Sequence, residues 1–225
     1  MRAYYEDVWG DLPDDPRPWA WEWRRELLGD EVRPGDRALD LGCGSGRFLT
    51  VLQAAGAEPI GVDIAARALE RAQRMAPAAG TRLLEADGSL PIDHGSIDLV
   101  WCSEVIEHVA DVGLLLGEVR RVLAPGGRLL LTTPSHGRLR RVLLAATRFD
   151  AHFDPLGQHL RFFSAASLRR ALGSSRLEVT RVVATGGLPL LRETLVARAL
   201  RPAPQSPGAA SARVASSTSE ADRGA

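Results

Sequence analysis

The sequence predicts an α/β fold in which helices flank a parallel sheet, and two observations carry this. From Arg37 onward, short apolar runs alternate with amphipathic segments, and the runs are bounded by Gly, Pro or Asp. One of them, Ala38-Leu39-Asp40-Leu41, passes through three alternating glycines directly into a helical pattern at Arg47-Phe48-Leu49. Repeated strand-helix units of this kind build a parallel sheet covered by helices.

Residues 1–36 precede that rhythm. Tyr4, Tyr5 and Trp9 are followed by a turn-rich stretch from Pro13 to Pro18, and Trp19, Trp21 and Trp23 open a short helical segment to Leu28. The whole segment reads as an N-terminal aromatic cap. Strands are expected at 37–41, 58–62, 81–85, 97–102 and 127–133, where the chain is apolar or β-branched between breakers. Helices are expected at 46–55, 65–76, 104–108 and 111–124. Asp111 suits an N-cap, Pro125-Gly126-Gly127 is a stop, and Leu115, Val119 and Val122 form a stripe that packs on the sheet.

Between 134 and 163 the rhythm breaks into an insertion. Its segment 138–149 places Leu139, Val142, Ala146 and Phe149 on one helical stripe beside Arg138, Arg140, Arg141 and Arg148. That pattern fits a solvated face over a hydrophobic core, or peripheral contact with an anionic membrane surface or a phosphorylated acceptor. A helix at 164–172, capped by Ser164, and strands near 176–184 and 194–200 complete a domain over 37–201. Residues 202–225 are mostly Pro, Ala, Ser, Gly and Thr with almost no large apolar side chain. Such a tail cannot offset its chain entropy and is expected to be disordered.

The chain has 225 residues, 45% of them hydrophobic and 25% charged, the size and composition of one soluble domain. Its 28 basic and 28 acidic residues balance, which disfavours an extended nucleic-acid surface and suits small-molecule chemistry. Cys43 and Cys102 fall in a glycine turn and at a strand end rather than in a disulfide framework, as in a reducing cytoplasm. Met1 to Asp7 carries no apolar signal core, and no apolar run approaches the roughly 18 to 20 residues that span a bilayer. A cytoplasmic protein without a transmembrane segment is expected.

The chemistry starts at Asp40-Leu41-Gly42-Cys43-Gly44-Ser45-Gly46. Glycines lack a Cβ, so the backbone can turn tightly and approach a ligand, while the first amides of the following helix are free to meet polar ligand atoms. A nucleoside-type cofactor is implied. Dinucleotide-binding loops follow Gly-x-Gly-x-x-Gly or Ala, and the sixth position here is Arg47, which disfavours nicotinamide. Asp63 ends the second strand about 20 residues after the first glycine, where a carboxylate can accept both ribose hydroxyls.

The loop resembles motif I of the class I S-adenosylmethionine-dependent methyltransferases, Asp/Glu-x-Gly-x-Gly-x-Gly, which Asp40, Gly42, Gly44 and Gly46 match. The resemblance implies a Rossmann-like three-layer sandwich whose mostly parallel sheet has seven strands, the last antiparallel. It implies S-adenosylmethionine as cofactor, its methionyl part wrapped by the loop that includes Cys43. Ile64 then follows the ribose carboxylate, Asp87 and Gly88 lie beside the adenine amino group, and Ser103 completes the cofactor set.

After the fourth strand the chain reads Cys102-Ser103-Glu104-Val105-Ile106-Glu107-His108. The Asn/Asp-Pro-Pro-aromatic tetrad of amino-methylating nucleic-acid enzymes is missing, so a hydroxyl oxygen is the expected acceptor. On a helix, Glu104, Glu107 and His108 would share one face. Two mechanisms stay open: His108 as general base, or the three side chains holding a divalent cation that lowers the hydroxyl pKa. The Glu-Val-Ile-Glu-His string resembles the quinone-biosynthesis O-methyltransferases and the small-RNA terminal 2′-O-methyltransferases, where it is associated with Mg2+. By that resemblance His159 is a fourth ligand, with His136 as its substitute. The plain alternative is that the acids favour a helix start and His108 packs in a cleft. The expected activity is methyl transfer to a small-molecule hydroxyl; RNA-terminal 2′-O-methylation and a non-catalytic cofactor-binding partner are the alternatives.

Overall fold

The structure is a computed structural model that describes residues 1–13, 15–154, 157–188 and 191–204. From residue 205 on, the tail expected to be disordered lies outside the described residues. The strands are β1 (Arg37–Leu41), β2 (Glu58–Asp63), β3 (Gly80–Leu83), β4 (Ile97–Ser103), β5 (Leu123–Pro134), β6 (Glu178–Thr185) and β7 (Thr194–Leu200). The helices are α1 (Arg2–Asp11), α2 (Trp21–Gly29), α3 (Arg47–Ala54), α4 (Ala66–Met75), α5 (Val112–Val122), α6 (Arg138–Thr147), α7 (Phe149–His152) and α8 (Ala165–Ser174), with a 3-10 turn at Ile106–His108.

The seven strands form one sheet in the order β3-β2-β1-β4-β5-β7-β6. Pairing is parallel from β3 to β5, and β7 runs antiparallel to both of its neighbours. This is the mostly parallel, seven-stranded Rossmann-like sandwich that the sequence implies.

Alternation along the central strands divides the core into two layers. Leu39, Leu41, Val100, Cys102, Leu129 and Leu131 face one cluster with α5 and α8, through Leu116, Val119, Leu168 and Leu172. Ala38, Leu99, Trp101 and Leu130 face the other, with Leu28 of α2, Leu49 and Leu52 of α3, and Ala72 of α4. Trp101 is fully buried, edge-on to Phe48 with ring centroids 5.2 Å apart, and Phe48 in turn packs on Trp21 at 5.2 Å. Each such pair adds about 0.5–1.5 kcal/mol beyond its buried area, so this ladder ties the N-terminal segment to the sheet.

Four elements depart from the sequence reading. Helix α1 was not anticipated: none of its residues is fully buried, and its apolar face is short, with Tyr5, Val8 and Trp9 half-buried. Its Glu6 carboxylate accepts from the Ala66 and Arg67 amides at 2.6 and 3.2 Å, capping α4, and Arg71 lies over the Trp9 ring at 5.6 Å. Strand β5 starts at Leu123 rather than 127; Ile97 pairs with Leu123, and the register shifts before Leu99 meets Arg128. The helix expected at 104–108 is a turn: Glu104 has φ +56°, which no α-helix tolerates, and only Ile106–His108 coils, as 3-10. Finally, the stripe on 138–149 does not lie over the core; α6 buries none of its residues.

Candidate functional site

Strand order reverses between β1 and β4, and in open α/β sheets the crevice beyond the carboxyl ends of the strands at that point is where ligands bind. The glycine loop, Asp63, Ser103, Glu104 and the 3-10 turn all emerge at this edge. A cavity of about 690 Å³ opens there, lined by Gly42 to Ser45, Asp40, Arg24, Ser103, Glu104 and, on its far wall, Arg140, His152 and His159. A second cavity, of about 740 Å³, lies across the opposite edge near Arg37, Glu58 and Ile97, and none of the sequence-predicted site residues lines it.

The glycine loop is pulled back onto β2, since the Val62 carbonyl accepts the Gly42 and Cys43 amides at 2.8 and 3.1 Å. Two glycines cannot be replaced for a visible reason. A Cβ on Gly46 (φ +85°) would sit 2.8 Å from the Cα of Ala72, and one on Gly44 (φ +52°) 2.9 Å from the Trp9 ring. Trp9 thus lies directly over the loop. Asp63 holds the same loop, accepting from Gly44 N at 3.0 Å with one oxygen and from Ala65 N at 3.0 Å with the other. Burial raises its pKa against the pull of these amides.

Asp40 is 1% exposed, and one of its oxygens has no hydrogen-bond partner among the described residues. Burial first and the Asp63 charge second push its pKa up to about 8. Cys43 and Cys102 are buried free thiols, both pushed up by desolvation. Ile64 follows Asp63 at the β2 end and is half-buried. Asp87, before Gly88 (φ +85°), is exposed and accepts from Ser89 N and Oγ at 2.9 and 2.7 Å, bonds that lower its pKa.

Of the three residues expected to share a face, the structure draws Glu104 away and keeps Glu107 and His108 together. Glu104 turns toward α2: its Oε1 lies 3.1 Å from Arg24 Nη2 and accepts from Thr132 Oγ1 at 3.0 Å, while Ser103 Oγ meets the same threonine at 2.9 Å. Glu107 is more deeply buried. It is 1% exposed, accepts from Thr133 Oγ1 at 3.0 Å, and its Oε1 has no hydrogen-bond partner among the described residues. Desolvation, then the Glu104 charge, raises its pKa to about 8.

His108 Nδ1 lies 3.0 Å from the Gln158 carbonyl. A carbonyl only accepts, so Nδ1 carries the proton and Nε2 keeps its lone pair. Nε2 is 3.9 Å from Glu107 Oε1, and burial lowers the imidazole pKa. The Glu107 carbonyl accepts the Leu160 and Arg161 amides at 2.8 and 3.0 Å, which brings His159 against His108 with ring centroids 4.8 Å apart. Ligand atoms of Glu107, His108 and His159 all lie within 4.8 Å of one another. Glu104 is outside this group, held by Arg24. His136 is too: its Nε2 lies 2.9 Å from His152 Nε2.

Sequence reasoning missed Arg24, Thr132, Thr133 and Gln158. The threonines had a signal, two hydroxyls at the end of Leu129-Leu130-Leu131, both fully buried. Arg24 had none, because its partner is distant in sequence. It is 4% exposed and lies over Trp19 at 5.2 Å, and its Nε has no hydrogen-bond partner among the described residues.

A family profile described as a methyltransferase domain matches residues 15–182. A ubiquinone biosynthesis O-methyltransferase of Paracidovorax citrulli is 30% identical over 196 residues, covering 82% of each chain. An uncharacterised 37.1 kDa protein of a Streptomyces fradiae transposon is 42% identical over 110 residues, 46% of this chain; the chain spans only 32% of that relative's length. Among solved structures, geranyl diphosphate C-methyltransferase of Streptomyces coelicolor, in complex with Mg2+, geranyl diphosphate and S-adenosyl-L-homocysteine, superposes with a TM-score of 0.68 at 18% identity, covering 89% of this chain and 98% of that one.

Proposed function

The chain belongs to the class I S-adenosylmethionine-dependent methyltransferases, and from that premise we propose that it moves the sulfonium methyl of this cofactor to a hydroxyl oxygen of a small molecule. The observation that carries the reading is the meeting, at one sheet edge, of a loop fixed by Asp63 and a histidine, His108, whose protonated Nδ1 leaves Nε2 as a base.

In this reading the Gly42 to Gly46 backbone receives the methionyl part, and Asp63 turns its remaining lone pairs to the ribose. Asp87 and Gly88 stand on the adenine side. Arg24, buried on the cavity wall with an unused nitrogen, offers a charge to the cofactor carboxylate. Helix α1 acts as a cover: Trp9 closes over the loop, and Tyr5, whose pKa is pushed up to about 12 by burial and by Tyr4, Asp63 and Glu107, stands between the two halves of the site. Methyl transfer is an in-line displacement, so most of the rate comes from holding oxygen and methyl in line, worth up to about 7–11 kcal/mol. His108 Nε2 takes the hydroxyl proton.

The donor set also fits a divalent cation, because the buried Glu107 Oε1 has no hydrogen-bond partner among the described residues and faces two imidazoles. Glu107, His108 and His159 would hold it, and when bound it supplies a Lewis acid that lowers the hydroxyl pKa. Two imidazoles and a carboxylate suit a first-row transition ion better than Mg2+, which prefers oxygen ligands.

The test is calorimetric titration with S-adenosylmethionine and S-adenosylhomocysteine, then screening of hydroxyl acceptors with labelled methyl donor. Gly44→Arg should abolish cofactor binding. A wild-type chain that binds neither compound would end the reading, and one that binds both but methylates only nitrogen or carbon would end its oxygen half.

A further inference from the structure

Helix α6 is amphipathic the wrong way round. On a helical wheel Leu139, Val142, Leu143 and Ala146 cluster on one side, and Arg140 and Leu144 on the other. Arg140 and Leu144 are the half-buried pair, so the apolar side faces away from the protein. Leu139 is 48%, Val142 66% and Leu143 47% exposed, and Phe149, opening α7, is 56% exposed. A two-turn stripe of large aliphatic side chains in water is unfavourable for a chain that stays dissolved, at about 25 cal/mol per Å² of apolar surface.

The charge around this stripe is mostly positive, with Asp150 of α7 the nearest acid in sequence. Arg138, Arg140, Arg141 and Arg148 lie on or beside α6, and no acidic residue occurs from 119 to 149 although the whole chain is neutral. Arg140 also lines the site cavity, as does Trp19, which is 57% exposed. Helix α6, which carries the stripe, therefore borders the cavity through Arg140, on its other side, next to an exposed indole.

We infer that α6 and the start of α7 dock the protein on an anionic lipid bilayer, with Val142, Leu143 and Phe149 entering the acyl boundary and Arg138 and Arg141 meeting the phosphates, so that the cavity opens at the membrane surface. Charge complementarity selects this occupant: a second copy would set the same arginines against each other, whereas a lipid surface neutralises them. The inference does not depend on which atom is methylated.

The experiment is co-sedimentation of the whole chain with vesicles of equal parts phosphatidylglycerol and phosphatidylcholine, against phosphatidylcholine alone. Binding is expected to the first only, and to weaken as salt is raised. Val142→Asp with Leu143→Asp, and separately Arg138→Glu with Arg141→Glu, should each lower partitioning by about tenfold or more, while S-adenosylhomocysteine affinity measured by calorimetry stays at the wild-type value. The arginine pair repeats the test without touching apolar contacts, should the aspartate pair unfold. Wild-type protein left in the supernatant with anionic vesicles at low salt overturns the inference. So does partitioning of both variants at the wild-type level, or a light-scattering mass showing a dimer that the aspartate pair dissociates.

Discussion

Asp63 fixes the glycine loop through Gly44, one carboxylate oxygen accepting the Gly44 amide at 3.0 Å while the other accepts Ala65 N at 3.0 Å. The residue proposed to face the ribose is therefore also the one that shapes the glycine loop. Asp63→Ala should orphan two largely buried amides at about 1–3 kcal/mol each and weaken S-adenosylhomocysteine binding by at least about tenfold. Asp63→Asn keeps one acceptor and should fall between. Urea unfolding and calorimetry check this; a normal affinity in the alanine variant would show that the loop holds its shape without Asp63.

Glu104 is strained and paired at once. Its left-handed backbone costs about 1–2 kcal/mol, and its carboxylate meets the buried Arg24 at 3.1 Å. Removing Arg24 leaves Glu104 beside Glu107 without its compensating charge, so Arg24→Ala should destabilise by about 3 kcal/mol. Glu104→Gly also breaks the pair but relieves the backbone, and should cost less than Glu104→Ala. Thermal unfolding of the three variants decides it, and equal losses for glycine and alanine would remove strain from the account.

Asp40 makes stability fall with rising pH. Its pKa is about 8 in the fold against an ordinary 3.8, so between those values the folded chain holds a proton that the unfolded chain has released. Stability from this group is complete below about pH 4 and declines until about pH 8, a change on the order of a few kcal/mol. Asp40→Asn should flatten the slope and leave the variant the more stable at pH 8. Urea midpoints from pH 5 to 9 measure it; parallel curves for both proteins would mean that Asp40 ionises freely in the fold.

The sheet was legible because its central strands are buried on both faces, and Leu39 to Leu41, Leu99 to Cys102 and Leu129 to Leu131 read as near-continuous apolar runs between breakers. The glycine loop and Asp63 were legible because their spacing follows from the strand-turn-helix itself. Helix α1 left a weaker trace, since it docks through Glu6 on α4 amides some sixty residues away and none of its residues is fully buried. Glu104, Glu107 and His108 show helical spacing, yet the chain reverses at Glu104 and one acid leaves for Arg24. Spacing reports a face only if the backbone is a helix, and a single left-handed residue cancels it. Segment 138–149 showed its stripe plainly, but a stripe does not say which way it faces.

His108 offers the sharpest chemical test, because the Gln158 carbonyl sets its tautomer and Nε2 is left to take a proton. Asparagine at this position can place its amide nitrogen where Nδ1 donates to Gln158 but has no basic nitrogen. His108→Asn should lower kcat by about a hundredfold or more while S-adenosylhomocysteine affinity stays unchanged. His159→Ala, which removes a neighbouring ring but not the base, should cost much less, and a chelator should leave the wild-type rate alone. The opposite pattern would be a rate abolished by chelation, restored by added manganese or zinc, and equally lost in both histidine variants. It would transfer the activation of the hydroxyl from Nε2 to a cation held by Glu107, His108 and His159.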